Sequence, residues 1–266
     1  NIAKKTKSKI AVMADYSDIN MNLLKEQNSI DLIRIAFHKK DLVSALNMCK
    51  QLKDMGYKVS ANAMAVTNYN SEELNQLFNL INTYDIDILY IADSYGSLSA
   101  KNLNEFLTTF QESVKTQIGI HLHNNKQNAF SNFESNFENI SKLNVIVDTT
   151  MYGMGRGAGN LNTELVMINY SNANIDAKIK LCKFIQQYVK QFYEKNENKW
   201  GYDLDYLLSG YFKMHPNFIS KMRDLNICMI DRFKLILIIN NKYDSSVFSN
   251  EVFVNIIDEN KGQLFD

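Results

Sequence analysis

The sequence has little proline, little cysteine and no excess of charge of either sign. It contains one proline, ten glycines and three cysteines among 266 residues. The cysteines, Cys49, Cys182 and Cys228, are far apart and show no CxxC spacing. An odd number of scattered cysteines excludes a disulfide scaffold and a zinc ribbon, and is typical of reduced thiols in a cytoplasmic protein.

Basic and acidic side chains balance, since Lys plus Arg and Asp plus Glu each number 29. This balance provides no extended basic field for nucleic acid or anionic lipid. The longest apolar run, residues 235–239, is far shorter than the roughly 20 residues that cross a bilayer. No apolar signal segment follows the basic residues 1–7. We therefore expect no nucleic-acid partner, no membrane partner and a small-molecule substrate.

Short strand-like runs alternate with helix-length amphipathic segments over the first 170 residues. Asn70 with Glu73 resembles a capping box, and Ser99 precedes another helical run. This alternation predicts parallel strands joined by helices, with functional residues at the carboxyl ends of the strands. The six candidate strands are residues 10–13, 32–37, 58–63, 88–92, 118–122 and 145–148.

The pattern changes after Tyr170, where only helical segments are predicted. We therefore divide the chain into a barrel-type domain, residues 1–170, and a helical C-terminal region, residues 171–266. One apolar series in this region recurs at helical spacing, which predicts a stripe packed against the rest of the protein. Its members are Ile179, Cys182, Ile185, Val189 and Phe192.

Three of the four histidines, His38, His121 and His123, lie at the ends of predicted strands. Residues two apart in a strand face the same side, so His121 and His123 project together and can bind one metal ion. Spacing alone leaves open that both rings are hydrogen-bonded in a polar barrel interior. A glycine-rich turn, residues 153–159, follows and leads into Asn160. Its GxGxGxG spacing is not the dinucleotide-binding fingerprint.

Taken in order, the strand-end segments resemble those of one enzyme family. They read RIAFH (34–38), YIADSYG (90–96), IGIHLHNN (118–125) and VDTT (147–150), ahead of the glycine-rich turn. Over residues 9–170 the chain resembles the metal-dependent aldolase and Claisen-condensing barrels, the hydroxymethylglutaryl-CoA lyase-like family. Within it the match is closest to the 4-hydroxy-2-oxovalerate aldolases. The resemblance implies an α/β fold of the TIM (β/α)8-barrel type, here incomplete, with a helical C-terminal region.

The resemblance also implies a divalent-metal site. His121 and His123 match the paired histidine ligands of the family, and Asn160 matches an asparagine that binds or approaches the metal in some members. Imidazole and oxygen ligands suit Mn²⁺ or Mg²⁺, and Co²⁺ or Zn²⁺ stay open.

Five further residues are expected beside the substrate by the same resemblance and from the loop chemistry. His38 and Asp93 are the candidates for catalysis, and Ser94, Arg156 and Gly157 are the candidates for substrate binding. Two alternatives stay open, namely that Asp93 braces a neighbouring strand end and that Arg156 pairs with Asp148.

The chain departs from the family at its first strands. Its six strands correspond to the third through eighth of the barrel, and residues 1–9 carry no match to the Arg-Asp signature of the first strand, whose Asp binds the metal. Asp15 is not that ligand, because residues 10–15 fit the third strand. We expect the missing strands upstream in a longer chain or from a partner, since an open sheet leaves its edges uncovered.

The resemblance implies a carbon–carbon lyase that cleaves a 4-hydroxy-2-oxo acid to pyruvate and an aldehyde, or catalyses the reverse. A Claisen condensation of an acyl-CoA with a 2-oxo acid is one alternative. A non-catalytic barrel that acts as a binding or scaffold subunit is another. The expected partners are a small 2-oxo acid and either a second copy of the chain or a dehydrogenase-type protein.

Overall fold

The computed structural model describes residues 8–21, 30–196, 199–260 and 262, which contain one six-stranded sheet. The strands are β1 (Ala11–Asp15), β2 (Leu32–Phe37), β3 (Val59–Ala63), β4 (Ile88–Asp93), β5 (Gln117–Leu122) and β6 (Ile146–Val147). They lie side by side in chain order. Strands β1 to β4 pair in parallel, as do β5 and β6. The six predicted strands are confirmed, with small shifts of their ends.

The crossover helices begin where their capping signals predict. They are α1 (Leu42–Asp54), α2 (Ser71–Thr83) and α3 (Ala100–Ser113). At α2 the Asn70 side chain accepts from the Glu73 backbone N–H at 2.9 Å, and Glu73 accepts from the Asn70 N–H at 2.8 Å, which completes the capping box. Ser99 caps α3. Two short helices, α4 (Ala129–Ser135) and α5 (Phe137–Lys142), are missing from the sequence-based prediction, although Phe130, Phe133, Phe137 and Ile140 recur at helical spacing.

The two faces of the sheet differ in polarity. Ile35 on β2, Ala61 on β3 and Ile91 on β4 are fully buried apolar residues on one face. On the other face Arg34 pairs in register with Ser60, so their side chains point the same way. The sheet therefore packs with one apolar face and carries polar groups on the opposite one.

In the described residues the sheet is open, with β1 and β6 at its edges. On β1 the side chains of Val12 and Met13 are 37% and 65% exposed. The described residues therefore form an α/β sheet flanked by helices, as predicted, and this sheet is not closed into a barrel.

Two compact units divide the chain. The first comprises residues 1–94, 98–121 and 132–148, and the second comprises residues 95–97, 122–131 and 149–266. The predicted boundary after residue 170 stays a prediction, since these units are not continuous in sequence. The helices of the second unit are α6 (Thr163–Tyr170), α7 (Ile175–Phe184), α8 (Lys190–Lys195), α9 (Leu204–Tyr211), α10 (Pro216–Asp224), α11 (Met229–Lys242) and α12 (Asn250–Asn260).

The second unit has an apolar core of its own. Phe218 on α10, Leu235 on α11 and Ile256 on α12 are among its fully buried members. In the part of the chain that the structure describes, no helix combines the length and apolarity needed to span a membrane.

The apolar stripe predicted for the first C-terminal helix is wrong in most of its members. Ile185 is buried, but Ile179 and Phe192 are 44% and 55% exposed, and Cys182 is exposed as well. A π-helical turn, Ile185–Val189, separates α7 from α8. It adds a residue to the turn, so the 3.6-residue period cannot continue on one face from Ile185 to Phe192. Ile179 and Cys182 precede this turn, on a helix that has no buried residue.

Candidate active site

An arginine and a carboxylate form the centre of the polar face of the sheet, within the first unit. Arg34 on β2 donates from Nη1 to Asp148 Oδ1 at 3.1 Å and from Nη2 to Asp148 Oδ2 at 2.5 Å. Asp148 directly follows β6, and both side chains are only 16–17% exposed. This bidentate pair fixes the plane of the carboxylate.

His121 on β5 binds the same carboxylate. Its Nδ1 lies 2.9 Å from Asp148 Oδ2. Burial opposes ionisation of Asp148, but the hydrogen bonds from His121 and Arg34 and the charge of Arg34 hold its pKa below the usual range. An ionised carboxylate can only accept hydrogen bonds, so Nδ1 of His121 is the donor.

Tyr90 on β4 supports Arg34 from below. The guanidinium carbon lies 4.2 Å from the centroid of the Tyr90 ring. Burial and the nearby negative charge of Asp148 both raise the pKa of Tyr90, so its hydroxyl keeps its proton. A side chain at Gly119 would place its Cβ 2.5 Å from the Tyr90 ring. Only glycine at position 119 therefore lets this ring lie across β5.

His123 and Asn160 are brought together within the second unit. They form an isolated antiparallel bridge, which continues in hydrogen bonds from Asn124 N to Gly159 O at 2.8 Å and from Leu161 N to Leu122 O at 3.1 Å. Asn160 is 9% exposed. Its Nδ2 donates to Met154 O at 3.1 Å, whereas its Oδ1 is buried with no hydrogen-bond partner among the described residues. A buried acceptor of this kind is ordinarily paired, and where no protein group reaches it an ordered water or a bound ion can do so.

The glycine-rich turn presents Asn160. Gly159 has φ +86°, and a Cβ there would overlap the carbonyl oxygen of Gly153, so no other residue fits. Gly157 lies on the same turn and Arg156 is exposed on it. Asp148 is bound by Arg34 within the first unit, and the alternative that Arg156 pairs with Asp148 stays a prediction.

The other predicted site residues lie in the first unit at the ends of β2 and β4. His38 is half-buried and precedes a short 3-10 turn, Lys39–Asp41. Asp93 is 1% exposed and accepts from Leu98 N at 3.1 Å, while Ser94 Oγ accepts from Ala65 N at 2.8 Å. Asp93 and Ser94 thus fasten loops, which favours the bracing alternative for Asp93 and leaves a direct role in chemistry a prediction.

The donor set suits a divalent cation in type. Imidazole nitrogen and amide oxygen are ordinary ligands of Mn²⁺, Co²⁺ and Zn²⁺, and the unsatisfied Oδ1 of Asn160 is an atom that a cation would pair. Within the described ranges, no three His, Cys, Asp or Glu side chains are grouped so that they could hold a metal ion. The acidic ligand that the sequence resemblance requires is therefore not found there.

Sequence reasoning misses the residues around His121. Arg34 enters it only as part of a strand-end motif, and neither Tyr90 nor Gly119 is assigned a role. The available signal is the arginine itself, which interrupts the apolar strand LIRIAF. A charge placed in such a strand needs a buried partner.

A parallel sheet flanked by helices, with polar and titratable groups near the carboxyl ends of its strands, is the architecture of α/β barrel enzymes. The HMGL-like family model matches residues 8–189, and the chain belongs to that family. The resemblance expected from the strand-end motifs is thereby confirmed.

Curated relatives that match the chain include several 4-hydroxy-2-oxovalerate aldolases. The one from Pelotomaculum thermopropionicum is 24% identical over 184 residues, which cover 69% of this chain and 53% of the relative. The one from Geobacillus thermodenitrificans is 23% identical over 185 residues, which cover 70% and 53%. The chain thus spans about half the length of the curated relatives that it matches.

Solved structures show the same fold. The N-terminal domain of a proposed aldolase from Bacteroides vulgatus matches with a TM-score of 0.70 and 24% identity, covering 83% of this chain and 74% of that one. The carboxyl transferase domain of Rhizobium etli pyruvate carboxylase with 3-hydroxypyruvate matches with a TM-score of 0.67 and 14% identity, covering 88% and 42%.

Proposed function

We propose that this chain belongs to a divalent-metal-dependent aldolase that cleaves a 4-hydroxy-2-oxo acid to pyruvate and an aldehyde, or catalyses the reverse. The observation that carries the proposal is the buried, unsatisfied Oδ1 of Asn160 in the bridge to His123. Family membership and the names of the curated relatives support the reaction class.

The proposed metal ligands are His121, His123 and Asn160. The two imidazoles are two residues apart on one extended segment, and Asn160 is presented by the glycine-rich turn. Mn²⁺ or Mg²⁺ is the proposed cation, with Co²⁺ or Zn²⁺ as alternatives. When bound, it would supply a Lewis acid for the negative charge that develops on a 2-oxo acid.

The remaining proposed roles belong to side chains of this chain. The half-buried imidazole of His38 would accept the proton of the substrate 4-hydroxyl as the carbon–carbon bond breaks. The exposed guanidinium of Arg156 and the backbone of Gly157 would hold an anionic substrate group. Asp93 and Ser94 would keep the substrate-side loops in place through their bonds to Leu98 and Ala65.

The proposed partners follow from the same reaction. A small 2-oxo acid would be the substrate. A dehydrogenase-type protein could take up the aldehyde product, and a second copy of the chain is the other proposed partner.

The test measures metal content and pyruvate release with the full native chain. We expect Mn²⁺-dependent release of pyruvate from 4-hydroxy-2-oxo acids, and loss of both metal and turnover in the variant carrying His121→Ala and His123→Ala. The matched control is His215→Asn, because His215 accepts a capping hydrogen bond from Asn217 N at 3.2 Å that Asn can keep. Equal metal content in the native chain and the double variant would remove the site. Bound metal without turnover at any substrate chain length would shift the assignment to condensation or binding.

A further inference from the structure

We infer that Asp148, Arg34 and Tyr90 are positioning residues that fix the ring orientation and tautomer of His121, so that Nε2 carries its lone pair. The inference rests on the proposed function only in giving that lone pair a ligand. The positioning is a property of the first unit by itself.

Both oxygens of the Asp148 carboxylate accept hydrogen bonds from neighbouring side chains. Arg34 donates to both oxygens, at 3.1 and 2.5 Å, and His121 Nδ1 lies 2.9 Å from Oδ2. An ionised carboxylate offers about four acceptor positions, so Asp148 has little freedom to turn.

This fixed acceptor determines which nitrogen of His121 carries the proton. Both oxygens of Asp148 already accept from the Arg34 guanidinium, so the carboxylate offers no hydrogen to His121 and Nδ1 must hold the hydrogen of the neutral ring. The lone pair then lies on Nε2, on the opposite side of the ring. A carboxylate that binds one ring nitrogen in this way orients metal-binding and catalytic histidines, and its loss leaves the ring in the wrong tautomer.

Arg34 is in turn held in place from one side. Its guanidinium lies over the Tyr90 ring at 4.2 Å, and that ring lies against Gly119, where a Cβ would come within 2.5 Å. The Nε of Arg34 is buried without a hydrogen-bond partner among the described residues. A buried donor left unsatisfied destabilises the fold, so this geometry serves the orientation of Asp148 rather than stability alone.

The experiment reads the tautomer of His121 directly, without metal and without substrate. The full chain is labelled with ¹⁵N-histidine, and long-range ¹H–¹⁵N spectra are recorded at a pH where the ring is neutral. A His121→Gln variant assigns the signals by their loss. We expect a protonated Nδ1 and an unprotonated Nε2 in the native chain.

Asp148→Asn tests the cause, because its amide N–H can donate to Nδ1. We expect most of the ring population to shift to the Nε2–H form. Arg34→Met should give a mixture, since Asp148 then loses its bidentate anchor. The matched control Asp54→Asn removes an exposed carboxylate that pairs with Lys50 and should leave His121 unchanged.

An Nε2–H form in the native chain overturns the inference, and this result needs no variant to fold. An unchanged tautomer in a folded Asp148→Asn variant overturns it as well. The outcome is independent of the aldolase test. A protein that releases no pyruvate but shows the Nδ1–H form contradicts the proposed function and supports the positioning role. A protein that releases pyruvate but shows the Nε2–H form does the reverse.

Discussion

Each compact unit contains an arginine that binds a carboxylate and stacks on a tyrosine ring. In the first unit Arg34 binds Asp148, and its guanidinium carbon lies 4.2 Å from the centroid of the Tyr90 ring. In the second unit Arg223 donates from Nη2 to Asp205 Oδ2 at 2.7 Å. Its guanidinium carbon lies 4.9 Å from the centroid of the Tyr206 ring. The chemistry of the two networks is therefore the same up to this point.

The networks differ in what else the carboxylate binds. Asp205, on α9 and 1% exposed, pairs with Arg223 on α10 and with Arg232 on α11, at 2.9 Å. Asp148 instead binds His121. The Asp205 network joins three helices. The Asp148 network instead includes the imidazole of His121, whose second nitrogen is the proposed metal ligand. The comparison indicates that an Arg–Asp–Tyr arrangement becomes functional through its last partner.

The largest expected effect separates the structural network from the functional one. Asp205→Asn leaves two arginines around a neutral amide, and removing one partner of a buried ion pair destabilises a protein by about 3 kcal/mol. Urea unfolding of the variant should show that loss in free energy of unfolding. The tautomer of His121 should be unchanged. A loss below about 1 kcal/mol would show that the second network does not join its helices.

Asp148→Asn should reduce stability less than Asp205→Asn does, and should reduce metal binding more. We expect a stability loss of about 2 kcal/mol, because Asp148 is less buried than Asp205 but hydrogen-bonds to charged groups. Metal affinity should fall about 10- to 100-fold, as is typical when the carboxylate behind a metal-binding histidine is removed. Unfolding in urea and titration with Mn²⁺ followed by electron paramagnetic resonance measure the two effects. If the folded variant bound Mn²⁺ with the affinity of the native chain, the Asp148 network would be purely structural, like the Asp205 network.

A single methyl group tests the support beneath Arg34. In Gly119→Ala the new Cβ would meet the Tyr90 ring at 2.5 Å, and such overpacking costs about 1.5 kcal/mol. Thermal unfolding measures the loss, with Gly262→Ala as the control, since nothing lies within 4 Å of a Cβ there. If the Tyr90 ring is the cause, adding Tyr90→Leu should remove most of the effect of Gly119→Ala. If the effects of the two substitutions on stability simply added, the contact between position 119 and the Tyr90 ring would be contradicted.

The elements of the fold could be predicted from local patterns. The capping box at Asn70 and Glu73 defines the start of α2, and the alternation of strands and helices defines six parallel strands. The exposed Phe192 was not predictable, because nothing in the sequence marks the π-helical turn that changes the phase of the helix. Periodicity assumes an uninterrupted helix.

The candidate site was predictable only where its residues are close in sequence. His121 and His123 are two residues apart, and Asn160 ends a distinctive glycine-rich turn. Arg34 and Asp148 are 114 residues apart, and no local pattern pairs them. Three strands separate β2 from β6 in the sheet, so their contact depends on the curvature of the sheet, which no local pattern specifies. A buried arginine in an apolar strand shows that a partner exists without identifying it.

The smallest expected effect compares the interior of the first unit with the surface of the second, through their cysteines. Cys49 on α1 is fully buried, and burial raises the pKa of its thiol to about 12, while Cys182 and Cys228 are exposed. Since the thiolate is the reactive form, a disulfide reagent at about pH 8 should modify two thiols in the folded protein and the third only after unfolding. Cys49→Ala should leave the folded count at two. Because the unfolded thiol ionises at its ordinary pKa of 9.0, the stability from a protonated Cys49 is complete below that pH and declines as the pH rises toward 12. If all three thiols reacted rapidly in the folded chain, Cys49 would be as accessible to the reagent as the two surface cysteines. The interior of the first unit would then open on the time scale of the reaction.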